Sequence, residues 1–599
     1  MERQTTYADH VADVLVSMGY THCFLVPGGA IMHLVNAVRT RMECIPVVHE
    51  VAAVIAAEYF NATTSKSRAC ALVTVGPGVT NALTGIAGAY LESRDVLVLA
   101  GQVKAADLAR GEIRQRGIQE LDGLAMATPV SVASARIETP IPDEELVSLV
   151  AAGLTDRKGP VFLEFCLDAQ GAPWPDTSAV EPNHLDQVSP VWIDAADEAA
   201  ESVIHHLQRS SRPVIMIGGG IDRSTAERCW PGLARLGVPL MTTWNGFDRI
   251  PDDHSCFAGR PNTWGQRRAN VILAQSDCVI ALGTRLGIQQ TGFNWREWGP
   301  PEGSGAVIQV DVDGSELTKG HPRVDLAVQA DANRLLEILA ESEPVEVAPW
   351  WQHIRNVEAR IPLLDPENHN GDSFLSPYEL MDQLSDVMRS EDVLVPASSG
   401  SGQFVPMETF RMKSGQRVIT NKGLASMGYG LSAALGAAAA GASRVVLVEG
   451  DGSFSQNIQE LGTLALHGWP LKIFLLDNDG YASIRTTQRN YFDGAYLGCD
   501  SSTGLGFPDW HLLARSFGLP SIDVGPQGLH EPDVRELFER LGPAIFVVKV
   551  DPEQTYFPKV TSRVTEDGSM ESNPLHEMSP PLSEDVARAV LSLRHNGHS

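Results

Sequence analysis

No stretch of this chain narrows its fold as much as residues 445–480. Val445, Val446, Leu447 and Val448 form an apolar, largely β-branched run of the kind that parallel sheets bury on both faces, and the run stops at Gly450-Asp451-Gly452. "SQNIQELGTLALHG" then carries helical spacing, and "LKIFLLDND" returns to a strand-like run that ends beside Asn478. Twenty-five residues separate Gly452 from Asn478, room for one crossover helix and the returning strand. The unit is therefore βαβ, with Asp451 and Asn478 side by side past the C-terminal ends of neighbouring strands, where open α/β sheets bind ligands. Two side-chain oxygens and the carbonyl of Gly480 amount to half an octahedron of hard donors, the kind Mg²⁺ takes. Gly450 and Gly452 let a ligand's phosphates come close to the backbone. A plain turn is the alternative for a Gly-Asp-Gly triplet, and the asparagine at this distance argues further against it.

Short apolar runs alternate with amphipathic segments along the rest of the chain, in three blocks. The expected fold is α/β, with three doubly wound parallel-sheet domains. Residues 1–180 hold "THCFLVPGG", "ACALVTVGPG" and "DVLVLAGQV"; residues 190–345, after a Pro-, Asp- and Ser-rich linker, hold "PVIMIGGG" and "SDCVIALGTRLG"; residues 372–560 hold the third block. Residues 561–599 read as a polar tail with little periodicity. With 74 acidic against 46 basic residues the net charge is −28, which opposes binding to nucleic acid or to anionic membranes. No apolar stretch reaches the roughly 20 residues that span a bilayer, and the start lacks an export signal's basic and apolar regions. The eight cysteines are scattered without a CxxC pair, so a reducing cytoplasm is the expected location.

A second acid stands far from the first. In "VVHEVAAVIAAEYFNATT", Glu50 opens a helix that is apolar over most of its surface, so its carboxyl should be partly desolvated and able to share a proton. An acidic residue at a helix N-terminus is also a common stabilising choice. From position 50 alone both readings stand.

Around these features the chain resembles the thiamine diphosphate enzymes of the acetohydroxyacid (acetolactate) synthase-like family. "FLVPGGAIMHLVNAV", "HEVAAVIAAEYFNATT", "TVGPGVTNALTGIAGAYLESRDVLVLAGQV" and "RQRGIQELD" resemble its pyrimidine-binding domain, and "ITNKGLASMGYGLSAALGAAAA" and "EGDGSFSQNIQEL" its diphosphate-binding domain. Most of the family pairs two asparagines where this chain has Asp477-Asn478. The resemblance implies that Glu50 shares its proton with N1′ of the aminopyrimidine and so activates the thiazolium. By position it implies that Asp451, Asn478 and the Gly480 carbonyl hold Mg²⁺. Gly400, Ser401, Gly402, Gly450, Gly452 and Ser453 would border the diphosphate, and Met427 would prop the cofactor into a bent shape. Pro27, Gly28, Gly29 and Gln119 would face the reacting carbon. The resemblance further implies a homodimer or homotetramer with active sites between subunits, Glu50 of one chain serving a cofactor anchored by the metal loop of another.

In residues 190–345, Gly218-Gly219-Gly220 after a strand is a weak dinucleotide signal that often marks only tight packing. "LGTRLGIQQTG" resembles a flavin-contacting segment of the same family, which brings Arg285, with Asp313 and Asp331, toward FAD. A central domain that keeps this fold without flavin is the alternative. For the reaction, the resemblance implies a carboligase that decarboxylates a 2-keto acid such as pyruvate and transfers the acyl unit to a carbonyl acceptor. A simple decarboxylase and a C–C hydrolase of cyclic diketones remain open. Thr487 stands where the synthases carry a tryptophan and Ala133 near the place of an expected lysine, which turns the reading from a small keto-acid acceptor toward a keto-sugar. Arg114, Arg116 and Arg485 are then candidates for an acceptor's phosphates.

Overall fold

All three blocks fold round a wholly parallel sheet. The structure, a computed structural model, describes residues 5–175, 190–368, 373–397, 400–564 and 568–593. The segment 176–189 of the expected linker lies outside the described residues. The first sheet contains β1 (Tyr20–Leu25), β2 (Glu43–Pro46), β3 (Arg68–Val73), β4 (Val96–Gln102), β5 (Ala133–Ile137) and β6 (Pro160–Cys166), in the order β2-β1-β3-β4-β6-β5. The central sheet contains β7 (Pro213–Ile217), β8 (Leu240–Thr242), β9 (Cys278–Leu282), β10 (Ala306–Asp311) and β11 (Leu326–Gln329), in the order β11-β10-β9-β7-β8. The third contains β12 (Val393–Pro396), β13 (Arg417–Val418), β14 (Val445–Gly450), β15 (Leu471–Asp477), β16 (Ser521–Val524) and β17 (Ala544–Lys549), in the order β13-β12-β14-β15-β17-β16. Such strands as β4, β7 and β9 are buried along their whole length, as helices on both faces of a sheet require.

The first and third sheets have the same topology, each running second, first, third, fourth, sixth, fifth in chain order. The helix Glu50–Thr63, between β2 and β3, therefore corresponds to the helix Tyr429–Ala439, between β13 and β14. Both are buried nearly all round, and they pack on each other in one core that unites Val51, Ile55 and Tyr59 with Leu431, Ala434 and Leu435. Gly436 makes the contact possible: a Cβ there would stand 2.1 Å from the Ala56 carbonyl oxygen. Beside the joint, the wholly buried Glu58 accepts from Arg94 Nη1 at 3.0 Å and from the Tyr429 hydroxyl at 2.5 Å. Burial, opposed by Arg94, pushes Glu58 up to about 7.

The central unit runs past residue 345. The helix Ala348–Arg360 buries Trp350, Ile354 and Val357 in the core of the central sheet. The tail is ordered through most of its described length, which its lack of periodicity did not announce. Ser562–Val564 pairs with Met570–Ser572, and Lys559–Val560 with Met578–Ser579, strands too short to show a period of two. The helix Glu584–Val590 then docks on the central unit, with Val590 wholly buried and its carbonyl accepting from Gln275 Nε2 at 2.8 Å. Among the described residues no helix is long and apolar enough to cross a membrane. We expect Val590→Ala to cost about 2 kcal/mol through the cavity it leaves, read as a lower urea midpoint; an unchanged midpoint would mean the tail is not docked in solution.

Candidate active site

β14 hands the chain to Asp451 at the first turn of the short helix Asp451–Phe454, and neighbouring β15 hands it to Asn478, with Gly450 opposite Leu476 in the register. The Asp451 carboxylate is buried. Its Oδ1 accepts from the Gly452 amide at 2.7 Å, and its Oδ2 accepts from the amides of Gly480 at 2.9 Å and Asn478 at 3.2 Å. Burial pushes Asp451 up to about 7 against the pull of these N–H groups, and the nearby charge of Asp477 adds to the rise. Asp477 itself is paired with Lys549. Beside the carboxylate, Asn478 Oδ1 is buried and accepts no hydrogen bond. A buried carbonyl oxygen left so costs about 1–3 kcal/mol, and a cation shared with the carboxylate would remove that cost. Among the described residues no three His, Cys, Asp or Glu side chains converge as a metal cluster. The donors that could meet a cation here are a carboxylate, a carboxamide and main-chain oxygen, all hard oxygen ligands.

Two further strand ends join this edge. Ser453 Oγ accepts from the Gly428 amide at 3.0 Å, and Asn457 Nδ2 donates to the Gly428 carbonyl at 2.6 Å. Together they fasten Met427, which is 40% exposed, beside the Asp451 loop. Gly400, Ser401 and Gly402 form the first turn of the helix Gly400–Thr409 after β12, and a Cβ on Gly400 would lie 3.0 Å from Ser483 Oγ. Ser483 and Thr487 stand exposed on the helix Ala482–Tyr491. Arg485 does not join them. It is buried, donating to the Asn478 carbonyl at 2.8 Å and to Asp500 at 3.4 Å, so it braces the loop that carries Asn478, while its Nε has no partner.

At the corresponding edge of the first sheet, Glu50 begins its helix 9% exposed, and its Oε2 accepts from Asn81 Nδ2 at 3.0 Å. Pro27, Gly28 and Gly29 follow β1, with Gly28 against Thr74 past β3. Gln119 is exposed with φ +58°, its carbonyl against Gly76, and Arg114 and Arg116 are exposed on the same loop. Among the described residues no hydrogen bond joins Glu50 to Asp451, Asn478 or Met427. The link between the two edges is Glu460, which sequence reasoning missed. Its Oε1 accepts from the amides of Val48 and His49, both at 3.0 Å, so a carboxylate from the third domain fixes the turn that delivers Glu50. Burial raises the Glu460 carboxyl above its ordinary range. Its partners lie more than 400 positions away, and no local pattern could have announced them.

Between the three units lies a cavity of about 530 Å³, bordered by Gly219, Gly220, Arg285, Asp313 and Asp331. Gly218 is absent from its lining; a Cβ there would meet the Gly283 carbonyl at 2.1 Å, so that glycine serves close packing. Asp313 and Asp331 also cap helices, accepting from the amides of Ser315 and Asn333 at 3.0 Å each. Trp244 and Lys422 border the cavity too, with Lys422 Nζ 4.3 Å from the Trp244 ring centre and 4.4 Å from that of Phe404. Burial pushes Lys422 down to about 8.

Comparison with known proteins gives three family models in chain order. They are described as thiamine pyrophosphate enzyme, N-terminal TPP binding domain, over residues 5–126; central domain, over 200–339; and C-terminal TPP binding domain, over 398–548. The acetolactate synthase isozyme 2 large subunit of Escherichia coli is 30% identical over 560 residues, 92% of this chain and 97% of that protein. The acetolactate synthase large subunit of Parasynechococcus marenigrum is 30% identical over 568 residues, 92% of this chain and 88% of its own length. The E. coli isozyme 1 large subunit is 27% identical over 571 residues, 93% of this chain and 96% of its own. For Glu460→Gln we expect an unchanged circular dichroism spectrum and turnover about 10–100-fold lower, since one amide oxygen replaces a charge that two N–H groups share. An unaltered rate would end its positioning role.

Proposed function

Because the chain belongs to the acetolactate synthase-like family of thiamine pyrophosphate enzymes, we propose that it is a Mg²⁺-dependent carboligase that decarboxylates pyruvate and transfers the acyl unit to a second carbonyl compound. The observation that carries this reading is the orphaned, buried Asn478 Oδ1 beside the buried Asp451 carboxylate at a strand edge rich in glycine. Thiamine diphosphate, when bound, supplies the carbon that adds to the keto group and takes up the electrons released with CO₂. The chain's own residues hold, bend and activate it. Asp451, Asn478 and the Gly480 carbonyl would hold the metal, and Gly400, Ser401, Gly402, Gly450, Gly452 and Ser453 would border the diphosphate. Met427 would set the bend. Glu50, little exposed and held by Asn81, would share a proton with the pyrimidine.

The same reading has a homodimer, or a pair of dimers, in which each site takes its acid from one subunit and its anchor from the next. Exposed Val48 and Met427, at 58% and 40%, fit surfaces that a second copy covers. The polar, exposed Ser483 and Thr487 favour a hydroxylated acceptor such as a keto-sugar over a small keto acid, with Arg114 and Arg116 available to its phosphates. The 530 Å³ cavity suits FAD, with Gly219, Gly220 and Arg285 toward its phosphates and Asp313 and Asp331 toward its ribose and adenine end. Eight free cysteines fit a cytoplasmic enzyme.

Incubated with pyruvate, thiamine diphosphate, Mg²⁺ and candidate acceptors, the protein should release CO₂ and yield a new carbon–carbon bond by mass spectrometry. Free acetaldehyde alone would assign a decarboxylase, and turnover of a cyclic diketone without CO₂ a hydrolase. Glu50→Gln should keep cofactor binding and lose about 10²–10⁴-fold in rate, with wild-type turnover refuting the role of the acid. Purified protein should also be yellow, with a flavin released on denaturation; a colourless, fully active preparation would exclude FAD.

A further inference from the structure

Three thiols stand abreast in the first sheet, and none is assigned above to cofactor or substrate. Cys23 on β1 is the register partner of Cys44 on β2 and of Cys70 on β3. Register partners on neighbouring parallel strands point to the same face, and all three pack into one core, with Cys23 and Cys70 wholly buried. A free cysteine in such a place often serves only as a small apolar residue. That account suits Cys70, whose thiol donates to the His22 carbonyl at 3.7 Å. Cys44 is placed differently: β2 is four residues long, lies at the edge of the sheet and leaves Cys44 only half-buried, within reach of a small oxidant.

The spacing of the strands selects which two thiols can join. Neighbouring strands lie about 4.7–4.9 Å apart, inside the Cα separation of roughly 4.4–6.8 Å that a disulfide spans. Parallel Cβ vectors keep the Cβ atoms somewhat farther apart than the roughly 3.5–4.5 Å of a relaxed disulfide, so one strand must move inward for the bond to close. The short edge strand β2 is free to do so; β3, held between β1 and β4, is not. The contact between the thiols favours the same pair. A hydrogen bond from the Cys23 thiol, opposed by burial, holds Cys44 below the usual thiol range, while that bond and burial raise Cys23 well above it. The more accessible thiol is therefore the more readily ionised, and the thiolate is the reactive form.

We propose that Cys44 and Cys23, register partners on the two outermost strands β2 and β1, are a peroxide-responsive dithiol that closes reversibly to a disulfide. The Cys44 thiolate attacks one peroxide oxygen and keeps it as a sulfenic acid, and the other oxygen leaves as hydroxide, which regains as water the proton Cys44 gave up. The Cys23 thiol then displaces hydroxide from that sulfur, its proton leaving with it as a second water. With hydrogen peroxide, two thiols and one peroxide give one disulfide and two waters. A bond closed under strain is more easily reduced, as reversal by a thiol reductant requires. β1 runs on to Pro27, Gly28 and Gly29, and β2 ends four residues before Glu50, so drawing β2 inward shifts the turn whose amides Glu460 holds. An effect on turnover rests on the reading of Glu50 given above; formation of the disulfide does not.

The test treats full-length protein, saturated with thiamine diphosphate and Mg²⁺, with hydrogen peroxide. Remaining thiols are then capped with N-ethylmaleimide, and unreduced peptides are mapped by mass spectrometry. The expected product is a linked peptide pair joining Cys23 to Cys44, lost again on treatment with dithiothreitol. Cys44→Ser, at a half-buried position, should fold as before and yield no such pair. Turnover of pyruvate by the wild type should fall about tenfold or more on oxidation, because small displacements at a reacting centre are costly, and should return with dithiothreitol; in Cys44→Ser it should stay level. The absence of a linked pair, a Cys23–Cys70 pair in its place, or oxidation of Cys44 only to sulfinic or sulfonic acid would overturn the dithiol. A linked pair with unaltered turnover would overturn its coupling to Glu50. If untreated protein turns over no pyruvate, the carboligase reading fails, and the peptide map still decides whether the dithiol exists.

Discussion

Both functional edges depend on the contact between the helices Glu50–Thr63 and Tyr429–Ala439. Neither helix has a polar face wide enough to be left in water, so each must be enclosed, and the small residues along them let backbone meet backbone at Gly436 and Ala56. Glu50 is the first residue of one helix, and Met427-Gly428 leads directly into the other. The packing that satisfies the apolar surfaces therefore also sets where Glu50 and Met427 stand. Apolar contact alone would leave the two helices free to slide. Three carboxylates remove that freedom: Glu58 accepts from Tyr429, Glu92 from the amides of Lys422 and Gly423, and Glu460 from those of Val48 and His49. Each reaches across the joint, and any slippage would strand a buried charge, which is far costlier than losing a surface pair.

The polar groups at the third-sheet edge are arranged differently from those in the joint. In the joint every named carboxylate has donors from the opposite domain. At the edge, Asn478 Oδ1 has none, and Asp451 is held by main-chain amides in surroundings that would otherwise favour its neutral form. Arg485 then spends its charge on the Asn478 carbonyl and Asp500, stiffening the loop from behind. A rigid frame round an unsatisfied oxygen is what cation binding without reorganisation requires.

Much of this was legible in the chain. The strands β14 and β15, the crossover between them and the adjacency of Asp451 and Asn478 follow from apolar runs of strand length and one spacing, because a βαβ unit is determined locally and its handedness is not free. The helix beginning at Glu50 was legible for the same reason. The burial of Arg485 was not legible, since a sequence shows a charge near a site and not whether a carbonyl seven residues back already holds it. The tail's docking was invisible because two- and three-residue strands carry no period.

The sequence by itself thus determined the three parallel-sheet units, the residue types at their strand ends and the family to which the chain belongs. These are written in short-range periodicity and in motifs a few residues long. Only the tertiary structure decided that Glu460 holds the turn before Glu50 and that Gly218 packs while Gly219 and Gly220 border a cavity. Each of these depends on which groups from distant parts of the chain share one buried volume. In such a volume a donor or acceptor is costly or useful according to its neighbours, and its neighbours exist only once the sheets have packed.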